Sequence, residues 1–199
     1  MTKRYVIEVA RAGKDGVLID PSGDPVPGWK AGRWYSLQQF IGSAFGATTV
    51  LTANRIYATP LWVPRTSGAA IKRFGFAVSA GVASSVARLM YFAAGDDGHP
   101  GARLFDFGTV ATDTGGDKEI AGTWTLPAGI GWLAVVPSAA ITALRFESFD
   151  FSPCGNATQG GDAGSPNRDN IDTTAPDPFG TTGVTYINDG FPRLAVRAA

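Results

Sequence analysis

The chain has 199 residues, 44% of them hydrophobic and 17% charged, which is apolar enough to pack a core and of a length that suits one domain with an appendage. Lys plus Arg and Asp plus Glu each number 17, so the net charge is zero and no basic surplus marks a nucleic-acid binder. Cys154 is the single cysteine, which excludes an intrachain disulfide and a cysteine-rich zinc site, and no cofactor is expected.

The first 32 residues differ from the rest. RYVIEVA and VLID read as two short strands joined by RAGKDG, a glycine-containing connection suited to a hairpin. PSGDPVPGWKAG then packs three prolines and three glycines into twelve residues, the composition of an extended arm. A lone hairpin is marginal in water, so residues 1–32 are expected to dock on a partner or on the chain's own sandwich, and 33–199 to form the main domain. YVIEV alternates as a strand does and lacks the apolar run of a signal peptide; the expected site of synthesis is a reducing cytoplasm. No segment approaches the ~20 continuous apolar residues that span a bilayer, so membrane insertion is not expected.

Trp29, Trp34, Tyr35, Tyr57 and Trp62 cluster in sequence where the arm meets the first strand. Flat aromatic faces serve sugar- or protein-binding surfaces, but they serve cores and subunit contacts as well. In RWYSLQQFIGSAFG, Leu37, Phe40, Ile41, Ala44 and Phe45 share one helical face, with Ser36 and Gln39 placed as a capping box. This spacing predicts a short helix that either plugs its own sandwich or packs against symmetry mates.

From Ile71 to Pro137 short apolar runs alternate with turns. IKRFGFAVS, SVARLMYFAA, ARLFDFGTV, KEIAGTWTL and IGWLAVVP have strand length and strand composition, separated by connections such as GDDGHPG, DTGGD and LPAG. In KEIAGTWTL, Ile120, Trp124 and Leu126 share one face and Glu119, Thr123 and Thr125 the other. LMYFAA and WLAVV are apolar at nearly every position and read as central strands buried on both faces. Trp124 and Trp132 fall on strand faces and are assigned to the core. The fold class is therefore all-β, an antiparallel β-sandwich with an N-terminal hairpin and one short helix.

Phe149 to Gly190 is a long stretch rich in Gly, Asp, Asn, Thr and Pro, with one strand expected at Val184 to Ile187. Loops longer than about 12–15 residues are usually functional or disordered, so it is either a contact surface or a solvated connection. In it, Asn156, Ala157 and Thr158 match a glycosylation sequon, read here as a glycine-rich loop. The last strand alternates Pro192, Leu194, Val196 and Ala198 with Arg193, Ala195 and Arg197, and is expected to close one sheet with its arginines facing water or a neighbouring subunit.

Catalysis finds little in this chain. Its one histidine, His99, lies in the turn-like GDDGHPG, and neither a G-x-S-x-G elbow nor a phosphate-cradling G-x-x-x-x-G-K is present. Asp96, Asp97 and Asp106 supply hard oxygen ligands in principle, but EF-hand spacing is absent and the turn reading is simpler. Nothing favours Glu147 with Asp150 as a glycosidase pair. Ligand-contacting residues are instead sought among Trp29, Tyr57, Trp62, Asp96, Asp97, His99, Asn156 and Asp177, with no metal and no enzymatic activity expected.

The succession GRWYSL, LTANRIYATPLWVPR, IKRFGFAVSAG, ARLMYFAAGDDGHPGARLFDFGTV, LPAGIGWLAVV and FPRLAVRAA resembles the β-sandwich domains at the tips of tailed-phage tail fibres and on head spikes of phage-like particles, over residues 33 to 199. The resemblance implies a jelly roll, exposure on the virion surface, frequent trimeric assembly and adhesion to host polysaccharide; it supplies no ligand-contacting residues. It implies a fibre or spike subunit made in the bacterial cytoplasm, whose arm binds other virion proteins. Two other functions fit the same residues: a capsid decoration subunit with no receptor, and a carbohydrate-binding module or glycan-cleaving enzyme.

Overall fold

The computed structural model describes residues 11–12, 18–19, 29, 31–36, 47–63, 68–96, 98–145, 165–168, 178–180, 184–187 and 192–199. In chain order the strands are β1 (Arg11–Ala12), β2 (Leu18–Ile19), β3 (Trp34–Tyr35), β4 (Thr48–Leu51), β5 (Ile56–Val63), β6 (Ala69–Ala80), β7 (Val86–Ala94), β8 (Pro100–Ala111), β9 (Gly116–Leu126), β10 (Gly129–Pro137), β11 (Ile141–Leu144), β12 (Ser165–Arg168), β13 (Val184–Ile187) and β14 (Leu194–Ala198). Among the described residues there is no helix; the short helix predicted over 37–46 lies outside them.

The pairing is nested. β7 pairs with β8, β6 with β9, β5 with β10 and β4 with β11, all antiparallel, as in one long hairpin folded over on itself. Two further pairings, β10 with β7 and β11 with β6, roll that hairpin into two sheets. The central order is β5-β10-β7-β8 in sheet I and β4-β11-β6-β9 in sheet II, which is jelly-roll topology. The sandwich expected from the strand rhythm is thus the observed architecture. β1 and β2 form a separate two-stranded hairpin, with Arg11 opposite Ile19 and Ala12 opposite Leu18. Strand pairing therefore reaches into residues that the sequence reading assigned to the connection.

Sheet II has an unusual lane. β14 pairs with Ile71 to Phe76 of β6 and β11 with Val78 to Ala80 on the same edge, so the two short strands lie end to end. The chain departs at Arg145 and returns at Pro192, where these two residues bridge and Arg193 N–H donates to the Leu144 carbonyl. The next lane behaves alike: β3 pairs with β14, β4 pairs with β11, and Arg145 N–H donates to the Ala47 carbonyl. Both irregular stretches of the sequence therefore leave the sheet at one place. β14 lies one lane inside the edge, between β3 and β6, rather than closing the sheet.

The excursion after Arg145 contributes to the opposite sheet. β12 pairs with the start of β5 through Asn167 and Arg168, and β13 pairs with β12, extending sheet I to six strands. β13 is the strand expected at Val184 to Ile187. β12 escapes a sequence reading because Pro166 lacks an N–H; its pairs with β5 involve only the two residues after that proline.

Two apolar clusters hold the fold. The larger fills the space between the sheets and includes Leu51, Ile71, Phe74, Leu89, Tyr91, Leu133, Val135, Leu194 and Val196. Aromatic rings cross it: Phe107 of β8 meets Phe74 of β6 edge-on at 5.0 Å and Trp124 of β9 at 4.7 Å, joining the two sheets at their β8–β9 side. The second cluster lies on the outer face of sheet I, where Ile56, Ala58, Met90, Phe92, Trp132, Ala134 and Val136 are buried with Phe179. β7 and β10 are therefore buried on both faces, as their continuous apolar runs predict. Each large side chain so buried stabilises the fold by about 1.5–3 kcal/mol.

Close packing explains particular glycines. A Cβ at Gly131 would lie 1.9 Å from the Tyr91 hydroxyl, and one at Gly68, which has φ +81°, would lie 2.3 Å from the Leu126 carbonyl oxygen. The alternation read in KEIAGTWTL is present: Ile120 and Trp124 pack on the inter-sheet cluster and Leu126 is buried, while Glu119, Thr123 and Thr125 are exposed.

Two outcomes follow for stability. Phe179→Ala removes a ring from the outer cluster and is expected to cost about 3–5 kcal/mol in chemical denaturation. Burial pushes the Tyr91 hydroxyl well above its usual pKa, so the unfolded chain ionises first. Stability is then full below about pH 10 and falls as the pH rises further, and Tyr91→Phe is expected to flatten that fall in denaturation curves recorded between pH 8 and pH 11.

Candidate functional site

The jelly roll gathers its connections at two ends. One end carries the β4–β5, β6–β7, β8–β9 and β10–β11 connections and is knit together by short polar contacts. There Val82 N–H donates to the Thr112 carbonyl, Thr112 N–H donates to the Ser85 carbonyl, and the buried Ser85 and Thr112 hydroxyls meet at 2.7 Å. The other end carries the β5–β6, β7–β8 and β9–β10 connections, the end of β14 and the residues that precede β3. Most of the described candidate residues collect at this second end.

On the outer face of sheet I the strand register builds rungs. Pro60, Trp132 and Phe92 form one rung across β5, β10 and β7, and Trp62 faces Ile130 in the next, at the margin of the buried cluster. Trp62 is half-buried and Ile130 is 39% exposed, so this last rung presents an indole and an aliphatic side chain to solvent. Beside it the 95–99 turn folds over the sheet. Trp132 Nε1 donates to the Gly98 carbonyl at 3.1 Å, Gly98 N–H donates to the Gly95 carbonyl and Gly95 N–H to the His99 carbonyl. Asp96 is exposed on this turn and His99 is half-buried. Pro178, Phe179 and Gly180 border the same region: Phe179 N–H donates to the Gly101 carbonyl, and its ring meets Phe92 edge-on at 5.3 Å.

Other predicted residues lie apart from this rung. Trp29 is buried and stacks on Tyr35 with ring centroids 4.6 Å apart. Tyr57 is buried at the far end of β5, where its hydroxyl accepts from Thr52 N–H. The five sequence-clustered aromatics therefore form no single exposed platform, because positions 57 and 62 of one strand face opposite sides. Trp29 also walls a cavity of about 250 Å³ whose other lining residues are Ala31, Ala69, Ala70, Ala198 and Ala199. That lining offers methyl groups and an indole but no charged side chain. Asp97, Asn156 and Asp177 lie outside the described residues.

Asp106 does not join Asp96 in a metal-binding group. Both of its carboxylate oxygens accept from the Arg88 guanidinium, and Gly108 N–H donates to it as well. Partial burial opposes its charge, yet the Arg88 and Gly108 donors hold the carboxyl below the usual range; the bond to Asp106 in turn raises Arg88. Among the described residues no three His, Cys, Asp or Glu side chains converge on a metal position. No described helix is long and apolar enough to cross a membrane.

Sequence reasoning missed Ile130 and Phe179. Ile130 stands alone between two glycines, and Phe179 is an isolated aromatic in a stretch of turn formers. Large apolar side chains marooned in such stretches are the one signal available for them.

No protein-family model matches the chain, and no curated protein matches it. Among solved structures it is similar to a clostridial cysteine protease, Cwp84 after propeptide cleavage, at 13% identity and a TM-score of 0.48, covering 83% of this chain and 40% of that one. The chain thus spans less than half the length of that protein.

The turn bond generates a local expectation. Trp132→Phe keeps most of the buried ring but loses the bond to Gly98, so it should cost about 1–3 kcal/mol and speed hydrogen exchange at the Gly98 amide, read by mass spectrometry.

Proposed function

We propose that this chain is a non-catalytic structural subunit on the surface of a tailed phage or phage-like particle, anchored through its N-terminal arm and presenting its jelly roll for adhesion to host polysaccharide. The observation that carries this reading is the rung of half-buried Trp62 and exposed Ile130 beside the Asp96–His99 turn. An indole and an aliphatic side chain suit the apolar face of a sugar ring, while a carboxylate and an imidazole suit its hydroxyls. The doubly buried sheet behind them gives a rigid support, and rigid elements hold contact residues more accurately than free loops do.

A single shallow rung of this kind binds weakly. Several copies in a homo-oligomer, a trimer being the expected form, convert weak contacts into firm adhesion without any stronger site. The sequence resemblance to fibre-tip and head-spike domains supports the same reading, and the low share of charged residues leaves surface for contacts between copies.

The test has two arms. Immunoblots of purified particles from the source should contain the chain, and the isolated protein should be retained on immobilised host capsule, with Trp62→Ala weakening retention about five- to tenfold. The chain on particles with no polysaccharide retention would make it a decoration subunit. Release of reducing ends would make it a glycan-cleaving enzyme, and absence from particles would sink the proposal.

A further inference from the structure

The outer face of sheet II carries an arrangement that folding alone does not require. Register places Trp34 of β3 opposite Arg197 of β14, Arg197 opposite Arg73 of β6, and Arg73 opposite Ala121 of β9, so the four lie in one rung across the sheet. The residues on either side of Arg197, Val196 and Ala198, are buried, as is Phe74 after Arg73, while Lys72 before it is exposed where the β6–β9 register shifts. Both guanidiniums therefore project outward from neighbouring strands. Like charges directly opposite each other destabilise a sheet.

Among the described residues each arginine has its partner on its far side. Arg197 Nε donates to the Gly32 carbonyl at 3.1 Å, toward β3, and Arg73 pairs with Glu119, toward β9. Each of these contacts uses part of a guanidinium that carries five N–H donors. Trp34 is 38% exposed at the end of the same rung. Exposed Arg33 and Lys72 add positive charge next along the chain, and the neighbouring rung runs from Ala195 through Gly75 to Glu119, the partner of Arg73. The chain as a whole is neutral, so this concentration of cations is local.

We infer that this rung is a second binding site, specific for acidic polysaccharide: a uronic- or sialic-acid carboxylate bridges Arg73 and Arg197 while the adjoining sugar ring lies against Trp34. The bidentate fork of arginine matches a carboxylate, and the indole face matches the C–H face of a pyranose. Arg73 already pairs with Glu119, so a neutral glycan would leave Arg197 with only the Gly32 carbonyl as its described partner. The inference rests on the adhesion reading and deepens it by giving the ligand its charge.

The experiment measures binding of the full chain, by biolayer interferometry, to polygalacturonate, polysialic acid, neutral dextran, single-stranded DNA and an array of acidic and neutral bacterial capsular polysaccharides. Arg197→Gln, Arg73→Gln, Trp34→Ala and Trp62→Ala are compared, with folding checked by thermal melts. The expected result is binding to the acidic polymers and not to dextran, weakened about tenfold by Arg197→Gln and by Arg73→Gln and weakened again by added salt. Arg197→Gln should melt close to the parent, because loss of the bond to the Gly32 carbonyl is offset by relief of the like charge opposite Arg73. Retention confined to neutral polysaccharides, affinity unchanged in both arginine variants, or equal affinity for the DNA would overturn the inference; in the first two cases adhesion itself stands. A change in oligomeric state rather than affinity in the arginine variants would also overturn it, marking the face as a contact between copies. If no polysaccharide is retained at all, the adhesion reading fails with it.

Discussion

The structure depends on covering sheet I from both sides. β10 and β7 carry apolar side chains at nearly every position, and antiparallel neighbours alone leave one of their two faces bare. Sheet II covers the inner face. The outer face holds Trp132, Phe92 and Met90, which are as fully buried as anything between the sheets. The excursion between Arg145 and Pro192 returns Phe179 to that face and adds β12 beside β5. A stretch composed like a solvated loop is therefore part of the folding unit. The buried Thr59 hydroxyl, donating to the Pro192 carbonyl from sheet I, ties the point of return to the same strand that β12 extends.

This constraint orders the rest of the molecule. With the middle of the outer face occupied, the rung at one end, Trp62 with Ile130, reaches the surface, and the 95–99 turn is drawn over its edge by Trp132. The other sheet is free to be polar outside: its outer rungs carry Ala, Thr, Gly and a few charges, with the arginines of β6 and β14 side by side. Two surfaces of different chemistry result, one apolar with a polar turn beside it and one cationic with an exposed indole. Residues leading into β3 contact the same end of the sandwich as the first surface, through the Gly32 N–H bond to the Ala198 carbonyl.

Much of this was legible in the residues. Continuous apolar runs in LMYFAA and WLAVV read directly as doubly buried strands, and the alternation in KEIAGTWTL and in LAVRA gave the correct inward faces, because burial on one side forces period two. What could not be read is register. Nothing in LRF or FPRL says that β11 and β14 share a lane along β6, and without that lane Arg73 and Arg197 are merely two arginines far apart in sequence. The candidate site was visible in part. The chemistry of Trp62, Asp96 and His99 points to a surface and the fold brings them to one end, whereas Trp29 and Tyr57, with the same chemistry, are buried. Aromatic type alone does not distinguish the two outcomes; for Tyr57 and Trp62 the parity of the position within β5 does, and for Trp29, which lies outside the strands, its stacking on Tyr35 does.

Hydrogen exchange resolved to single strands tests the central claim most directly, since local opening free energy rises with burial of the strand and of its neighbours. If sheet I is covered on both faces, the amides of β10 and of the flanking β5 and β7 should exchange slowest, close to the global unfolding limit, while β8 and β9 exchange faster. Exchange of β10 as rapid as that of β8 would contradict the account.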